Sequence, residues 1–209
     1  LAPLAAIWGE RATGSIDGDI SLANRDGGLA GAVDLRLDDA RLAGRQRGTL
    51  DLHIVGDLDP ARLRATIDAA SSDGLVARFE ADAPVTTSTA PIRIEIARNR
   101  TGHATWSLNG PADTLWSAAR LQDQALAGAV SGEGELSFGA GRLSGQGFIE
   151  IVDGRFEDKP SGVTLTNLDA RLALNERGVR IERFAASDSR GGRLAATGTA
   201  EQRDPPVAF

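Results

Sequence analysis

The most constraining feature of this chain is a two-residue hydrophobic period. From Leu29 the apolar or small positions Leu29, Gly31, Val33, Leu35 and Leu37 alternate with a second set that includes Asp34 and Arg36. The same step runs through Leu50, Leu52 and Ile54, through Leu75, Ala77 and Phe79, and through Ile92, Ile94 and Ile96. It returns in Ala104, Trp106 and Leu108, in Leu168, Ala170, Leu172 and Leu174, and in Leu194, Ala196 and Gly198. Successive side chains of a strand project to opposite faces, so each segment predicts a strand with one apolar and one polar face. Turn signals separate the segments: Arg25-Asp26-Gly27-Gly28, Ser72-Asp73-Gly74, Gly139-Ala140-Gly141, Asp153-Gly154, Asn175-Glu176-Arg177-Gly178 and Arg190-Gly191-Gly192. About sixteen short strands at this spacing specify an all-β meander, sandwich or solenoid.

Two stretches depart from alternation. Pro111 to Arg120 combines helix formers with an acid near its start and Arg at its end, which predicts a short helix. Pro3 to Trp8 is a weaker version of it. Pro60 to Ala70 has a helix-start signal in Asp59-Pro60, but Leu63, Ala65, Ile67 and Ala69 alternate, and the segment reads as strand.

An ungapped internal repeat lies at an offset of 114 residues. Gly14, Gly18, Leu22, Gly27, Leu29, Gly31, Asp39, Arg41 and Gly48 recur as Gly128, Gly132, Leu136, Gly141, Leu143, Gly145, Asp153, Arg155 and Gly162. These nine identities over positions 14–48 exceed the ~7% expected from residue frequencies. Residues 1–110 and 111–209 therefore read as two copies of one unit, a helical turn followed by a Gly-rich β-meander, continuous in one elongated sheet. A one-faced sheet with so little helix must bury its apolar side by folding into a sandwich, closing as a barrel or curling into a trough. Glycines at inward positions (Gly18, Gly31, Gly132, Gly145, Gly147) favour strong bending.

Composition narrows the chemistry. Hydrophobic residues make up 41% of 209 but aromatics only 4%, so the apolar face is aliphatic. A net charge of −6 gives no basic patch for nucleic acid. Without cysteine there is no thiol nucleophile, disulfide or Cys-ligated metal, and His53 and His103 stand fifty residues apart. No metal or other cofactor is expected. The carboxylate pairs Asp17/Asp19, Asp38/Asp39 and Glu133/Glu135 read as solvated charge on the polar face. Ser131 and Ser144 have no His–Asp partner, so no enzyme activity is expected. Phe148 falls on the polar face opposite Ile149, which marks packing against a helical turn, a bulge or a register one residue different.

The segment Leu143-Ser144-Gly145-Gln146-Gly147-Phe148-Ile149-Glu150-Ile151-Val152-Asp153-Gly154-Arg155-Phe156 is followed by Gly162-Val163-Thr164-Leu165-Thr166-Asn167-Leu168, then by Gly178 to Asp188 and Gly191 to Gly198. Its phrasing resembles the repeats of the TamB family, the inner-membrane subunit of the translocation and assembly module, within the AsmA-like superfamily. Trp106 to Trp116 is similar to that family's link into a new repeat. The resemblance implies an elongated, strongly curved antiparallel sheet folded into an apolar trough, a β-taco, with one or two short helical turns. It further implies an internal periplasmic segment of a protein anchored in the inner membrane elsewhere, phospholipid acyl chains as ligand, and an Omp85-type outer-membrane barrel as partner.

The leading expectation is a lipid conduit whose trough shields acyl chains. Its candidate lining is Val33, Leu35, Leu37, Leu52, Ile54, Ile94, Ile96, Trp106, Val130, Leu136, Ile149, Ile151, Leu172, Leu174, Ile181 and Leu194. For each of these, ordinary core packing is the competing reading. The alternative function is a chaperone or scaffold that holds outer-membrane β-strands by edge augmentation. The edges of such a sheet also offer an edge-to-edge dimer.

Overall fold

The computed structural model describes residues 12–42, 48–97, 99–118, 123–139, 142–175 and 178–201. Twelve strands and one short helix account for most of them. The strands are β1 (Ala12–Arg25), β2 (Gly28–Leu42), β3 (Leu50–Asp59), β4 (Arg62–Ser71), β5 (Val76–Thr89) and β6 (Ile92–Ile96). They continue with β7 (Gly102–Pro111), β8 (Gln124–Gly139), β9 (Arg142–Asp158), β10 (Val163–Asn175), β11 (Gly178–Asp188) and β12 (Arg193–Glu201). The helix α1 spans Ala112–Ala118, where a helix was expected. The second expected helical stretch, Pro3 to Trp8, lies outside the described residues.

The strands form one large antiparallel sheet, not closed into a barrel, in the order β1-β2-β3-β4-β5-β7-β8-β9-β10-β11-β12, with β6 pairing β5 off this path. The all-β expectation holds, and Pro60 to Ala70 is a turn leading into strand β4. The strands are fewer and longer than the sixteen expected, and β9 shows why. Asp153-Gly154, expected to be a turn, lies inside that 17-residue strand. Three steps on β9, from Ile151 to Gly154, match two on β10, from Ala170 to Leu168, so an extra residue bulges out of the ladder. A bulge interrupts alternation as a turn does, and period alone does not separate the two.

The same bulge occurs in the first repeat. Leu37 to Ala40 on β2 opposes Leu52 to Leu50 on β3. Asp39 and Asp153, 114 positions apart, both adopt left-handed backbone, with φ of 52° and 51°. The amide of Asp39 donates to Asp51 Oδ1 at 2.8 Å and that of Asp153 to Asp169 Oδ1 at 3.2 Å. On the preceding strand of each repeat, Gly14 (φ 134°) and Gly128 (φ 123°) carry a matching irregularity. A Cβ on Gly128 would sit 2.7 Å from Gly154 Cα. The repeat is therefore a copied piece of backbone geometry as well as a copied residue pattern.

By contact density the chain divides into two units, residues 1–106 with 137–143, and residues 107–136 with 144–209. Within the first, the sheet curls far enough for β2 to touch β5, although β3 and β4 lie between them. The Leu29 amide donates to Thr87 Oγ1 at 2.9 Å, and Leu29, Leu58 and Val85 form a small buried cluster with Leu63 against it. The hairpin joining β1 to β2 turns through Asp26 and Gly27, both at positive φ, as its Asp-Gly sequence requires. In the second unit Leu168, Ala170 and Ala186 are buried beneath Ile151, Phe156, Leu165 and Phe184. Helix α1 lays Trp116 edge-on against Phe156 with ring centroids 6.2 Å apart.

The left-handed aspartates set a test. Asp39→Gly and Asp153→Gly should each change stability by less than about 0.5 kcal/mol, because relieved backbone strain offsets the extra freedom of the unfolded chain. Asp39→Val and Asp153→Val should each lose about 1–2 kcal/mol, since a β-branched residue does not enter that region without strain. Urea denaturation of the four variants gives the comparison, and the two positions should respond alike.

Candidate functional site

Strand register in the first unit sorts the side chains into rows that cross β1 to β5. One row is Ile16, Leu37, Leu52, Ala69 and Ala77, and the next is Gly18, Leu35, Ile54, Ile67 and Phe79. Then come Ile20, Val33, Gly56, Ala65 and Ala81, and last Leu22, Gly31, Leu58, Leu63 and Ala83. These four rows of five contain only apolar residues and glycine. The second unit repeats the arrangement with Ile149, Leu172, Ile181 and Gly198, with Gly147, Leu174, Val179 and Ala200, and with Ile151, Ala170, Phe184 and Ala196.

Most of these side chains are neither buried nor free. Leu35, Ile54, Ile67 and Phe79 are half-buried, as are Ile149, Leu172, Leu174 and Ile181. Beneath a second layer, aliphatic residues at the centre of a sheet are fully buried. Here they touch same-face neighbours and keep part of their surface open. At β1 the face is more open still, with Ile20 67% and Leu22 57% exposed.

Of the sixteen expected lining residues, Val33, Leu35, Leu37, Leu52 and Ile54 come together in the first unit, and Ile149, Ile151, Leu172, Leu174 and Ile181 in the second. Trp106 on β7 and Leu136 on β8 are half-buried. Val130 is 3% exposed and belongs to the packed interior. Leu194 lies opposite Ala186 on β12 and is exposed. Ile94 and Ile96 stand apart from the rows on β6, both exposed. Ile16, Ile20, Leu22, Leu58, Leu63, Ile67, Phe79, Val179 and Phe184 are the further large apolar residues of the rows, outside the expected sixteen. Their signal was present: Ile16, Gly18, Ile20 and Leu22 alternate as cleanly as any segment.

The opposite face is charged and cross-linked. Asp34 and His53 Nε2 meet at 2.8 Å, and Arg78 bridges Asp68 at 3.0 Å and Glu80 at 2.6 Å. Arg62 forms a two-pronged bond to Asp82, which holds the Asp82 carboxyl below the usual carboxylate range. A shallow groove of about 420 Å³ crosses β3, β4, β5 and β7, lined on this face by Arg64, Glu80, Asp82 and His103. His103 Nδ1 is 3.2 Å from Ser137 Oγ, while Asp82 is engaged by Arg62. Asp17 and Asp19 fall on this face beside Arg36 and Asp34, as solvated charge does. Among the described residues no group of three or more His, Cys, Asp or Glu is placed to hold a metal ion.

In the second unit Arg171 organises the polar face. It reaches Glu150 at 3.4 Å and Glu182 at 3.2 Å, and its guanidinium lies 4.0 Å from the centre of the Phe148 ring. Phe148 is thus on the polar face, in the expected register, covered by a cation rather than by a helix. Gly147 beside it lies against Gly134 of β8, so close that a Cβ would come within 2.7 Å of Gly134 Cα.

No family model, no curated protein and no solved structure matches the chain.

The Arg62–Asp82 pair has a definite pH signature. Because the folded-state pKa of Asp82 is lowered, its contribution to stability is present above the ordinary carboxylate pKa and is lost as pH falls through the depressed value. Arg62→Ala should therefore flatten the acid limb of a stability–pH profile below about pH 4 and leave stability near pH 7 only slightly reduced, since the pair is solvent-exposed. Urea midpoints from pH 7 to pH 2 for both proteins are the measurement.

Proposed function

We propose that this chain is a conduit segment whose apolar sheet face shields the acyl chains of phospholipids between two membranes. The observation that carries the reading is the block of twenty apolar or glycine positions, four rows across five strands, most of them left half-open or exposed with no second layer upon them among the described residues. Shielding is worth ~0.8 kcal/mol per CH₂, so a lipid tail gains from any continuous aliphatic lining. A face without polar anchors holds each position of the tail about equally, which permits sliding. The resemblance to TamB repeats supports the same reading. It implies a periplasmic segment of an inner-membrane-anchored protein that works with an Omp85-type barrel.

A second reading, a scaffold that holds outer-membrane strands, is favoured by the edge strand β1. Among the described residues it pairs only with β2, and its described side chains are exposed. The two readings depend on different parts of the molecule. A lipid depends on inward side chains, whereas a client strand depends on the backbone of an edge.

In-cell photocrosslinking with a probe at Leu35 or at the adjacent Arg36 distinguishes the faces, with adducts identified by lipid extraction and mass spectrometry. The conduit reading expects lipid adducts at Leu35 and at least about tenfold fewer at Arg36, because the two side chains project from opposite faces. Lipid at neither position, with protein adducts at Ser21 of β1, would favour the scaffold. Ile54→Asp should abolish lipid recovery with the purified protein.

A further inference from the structure

Strand β6 is the one strand off the main path of the sheet. Among the described residues it pairs only with β5, from Val85–Ile96 to Thr89–Ile92, and its other edge is bare. All five residues are exposed, with Ile92 at 71%, Ile94 at 48% and Ile96 at 53%. The three isoleucines share one face and Arg93 and Glu95 share the other. Across the ladder Arg93 faces Ser88 and Glu95 faces Thr86, so neither charge meets an opposite charge within its own hairpin.

The sequence Ile92-Arg93-Ile94-Glu95-Ile96 is complementary to itself when read antiparallel. Centred on Ile94, a second copy places Ile94 against Ile94, Ile92 against Ile96 twice, and Arg93 against Glu95 twice. Opposite charges and β-branched residues directly across a ladder are favourable pairs, and a strand edge with unpaired N–H and C=O groups is a template for such addition. A two-fold axis perpendicular to the sheet keeps the isoleucines of both copies on one face, which is the closed, isologous symmetry of most dimers.

We propose that β6 is a self-recognition edge through which two copies of this chain pair, antiparallel and in register about Ile94. The contact is five residues long, which makes the dimer a weak one, visible at high micromolar concentration. Neither the acyl-chain reading nor the exposed edge of β1 enters into it.

Charge reversal tests register as well as association. Sedimentation velocity over a concentration series should show a reversible dimer of the unmodified protein. Arg93→Glu alone and Glu95→Arg alone each set like charges opposite one another twice, and each should weaken the dimer roughly tenfold or more. An equimolar mixture of the two variants restores both pairs and should dimerise about as well as the unmodified protein. Circular dichroism checks that each variant is folded, and the mixture tests the pairing even if one is slightly destabilised. Because the protein has no cysteine, Ile94→Cys provides a second readout. A short bis-maleimide should link it to itself at the two-fold axis, and should not link Val76→Cys, which is exposed on another strand. A monomer throughout the series, a dimer indifferent to both reversals, or a folded mixture that fails to recover would each overturn the proposal.

Discussion

An apolar sheet face that the described residues cover only locally, as Trp116 does at Phe156, is the constraint on which the rest of this structure depends. Aliphatic side chains left flat in water would cost ~25 cal/mol for each Å² exposed. Part of that cost is recovered by curvature, which presses neighbouring rows together on the concave side. In the first unit the curl is tight enough for the start of β2 to reach the end of β5 and to bury Leu29, Leu58 and Val85. Away from this contact the rows stay half-open, and that residual surface is what a ligand would cover. The opposite face needs no such arrangement, since its charges are satisfied by one another and by solvent.

Bending a ladder of strands needs places where the ladder yields. The copied bulges at Asp39 and Asp153 are such places, each stabilised by an aspartate carboxylate on the next strand. Each inserts one residue, so Leu37 and Ala40 in one repeat, and Ile151 and Gly154 in the other, return to the same side of the sheet. The inserted residue changes direction without reversing the faces. The repeats differ elsewhere: Ile20 opposes Val33 in the first, and the equivalent positions in the second are Gly134 and Gly147 in close backbone contact. Two versions of one backbone thus carry different linings.

How much of this was legible in the sequence follows from the physics of the period. Alternation states which side chains share a face, so Leu35 and Ile54 were correctly grouped before any register was known. Phe148 was correctly placed on the polar side, but its partner was not legible, because Arg171 is 23 positions away in sequence and reaches it only through the β9–β10 pairing. Asp153-Gly154 was misread because a bulge and a turn use the same residues for the same reason, tolerance of left-handed backbone. Val130 was grouped with the lining because period gives the face and not the depth of burial. β6 looked like any other strand in the sequence, and that it stands off the main path depends on where the chain after β5 pairs.

The strand order carries a consequence for how the chain acquires this structure. With β6 set aside, each strand pairs with the one before it in sequence, from β1 through to β12; β7 pairs β5 past the intervening β6, and β8 pairs β7 past the helix. The pairings are therefore of low sequence separation, most of them plain hairpins, so little loop entropy is lost before each new contact forms. A sheet of this kind grows by zippering from whichever end emerges first. A chain moving vectorially, out of a ribosome or through a membrane pore, never has to wait for a distant partner, and each finished strand is the template for the next.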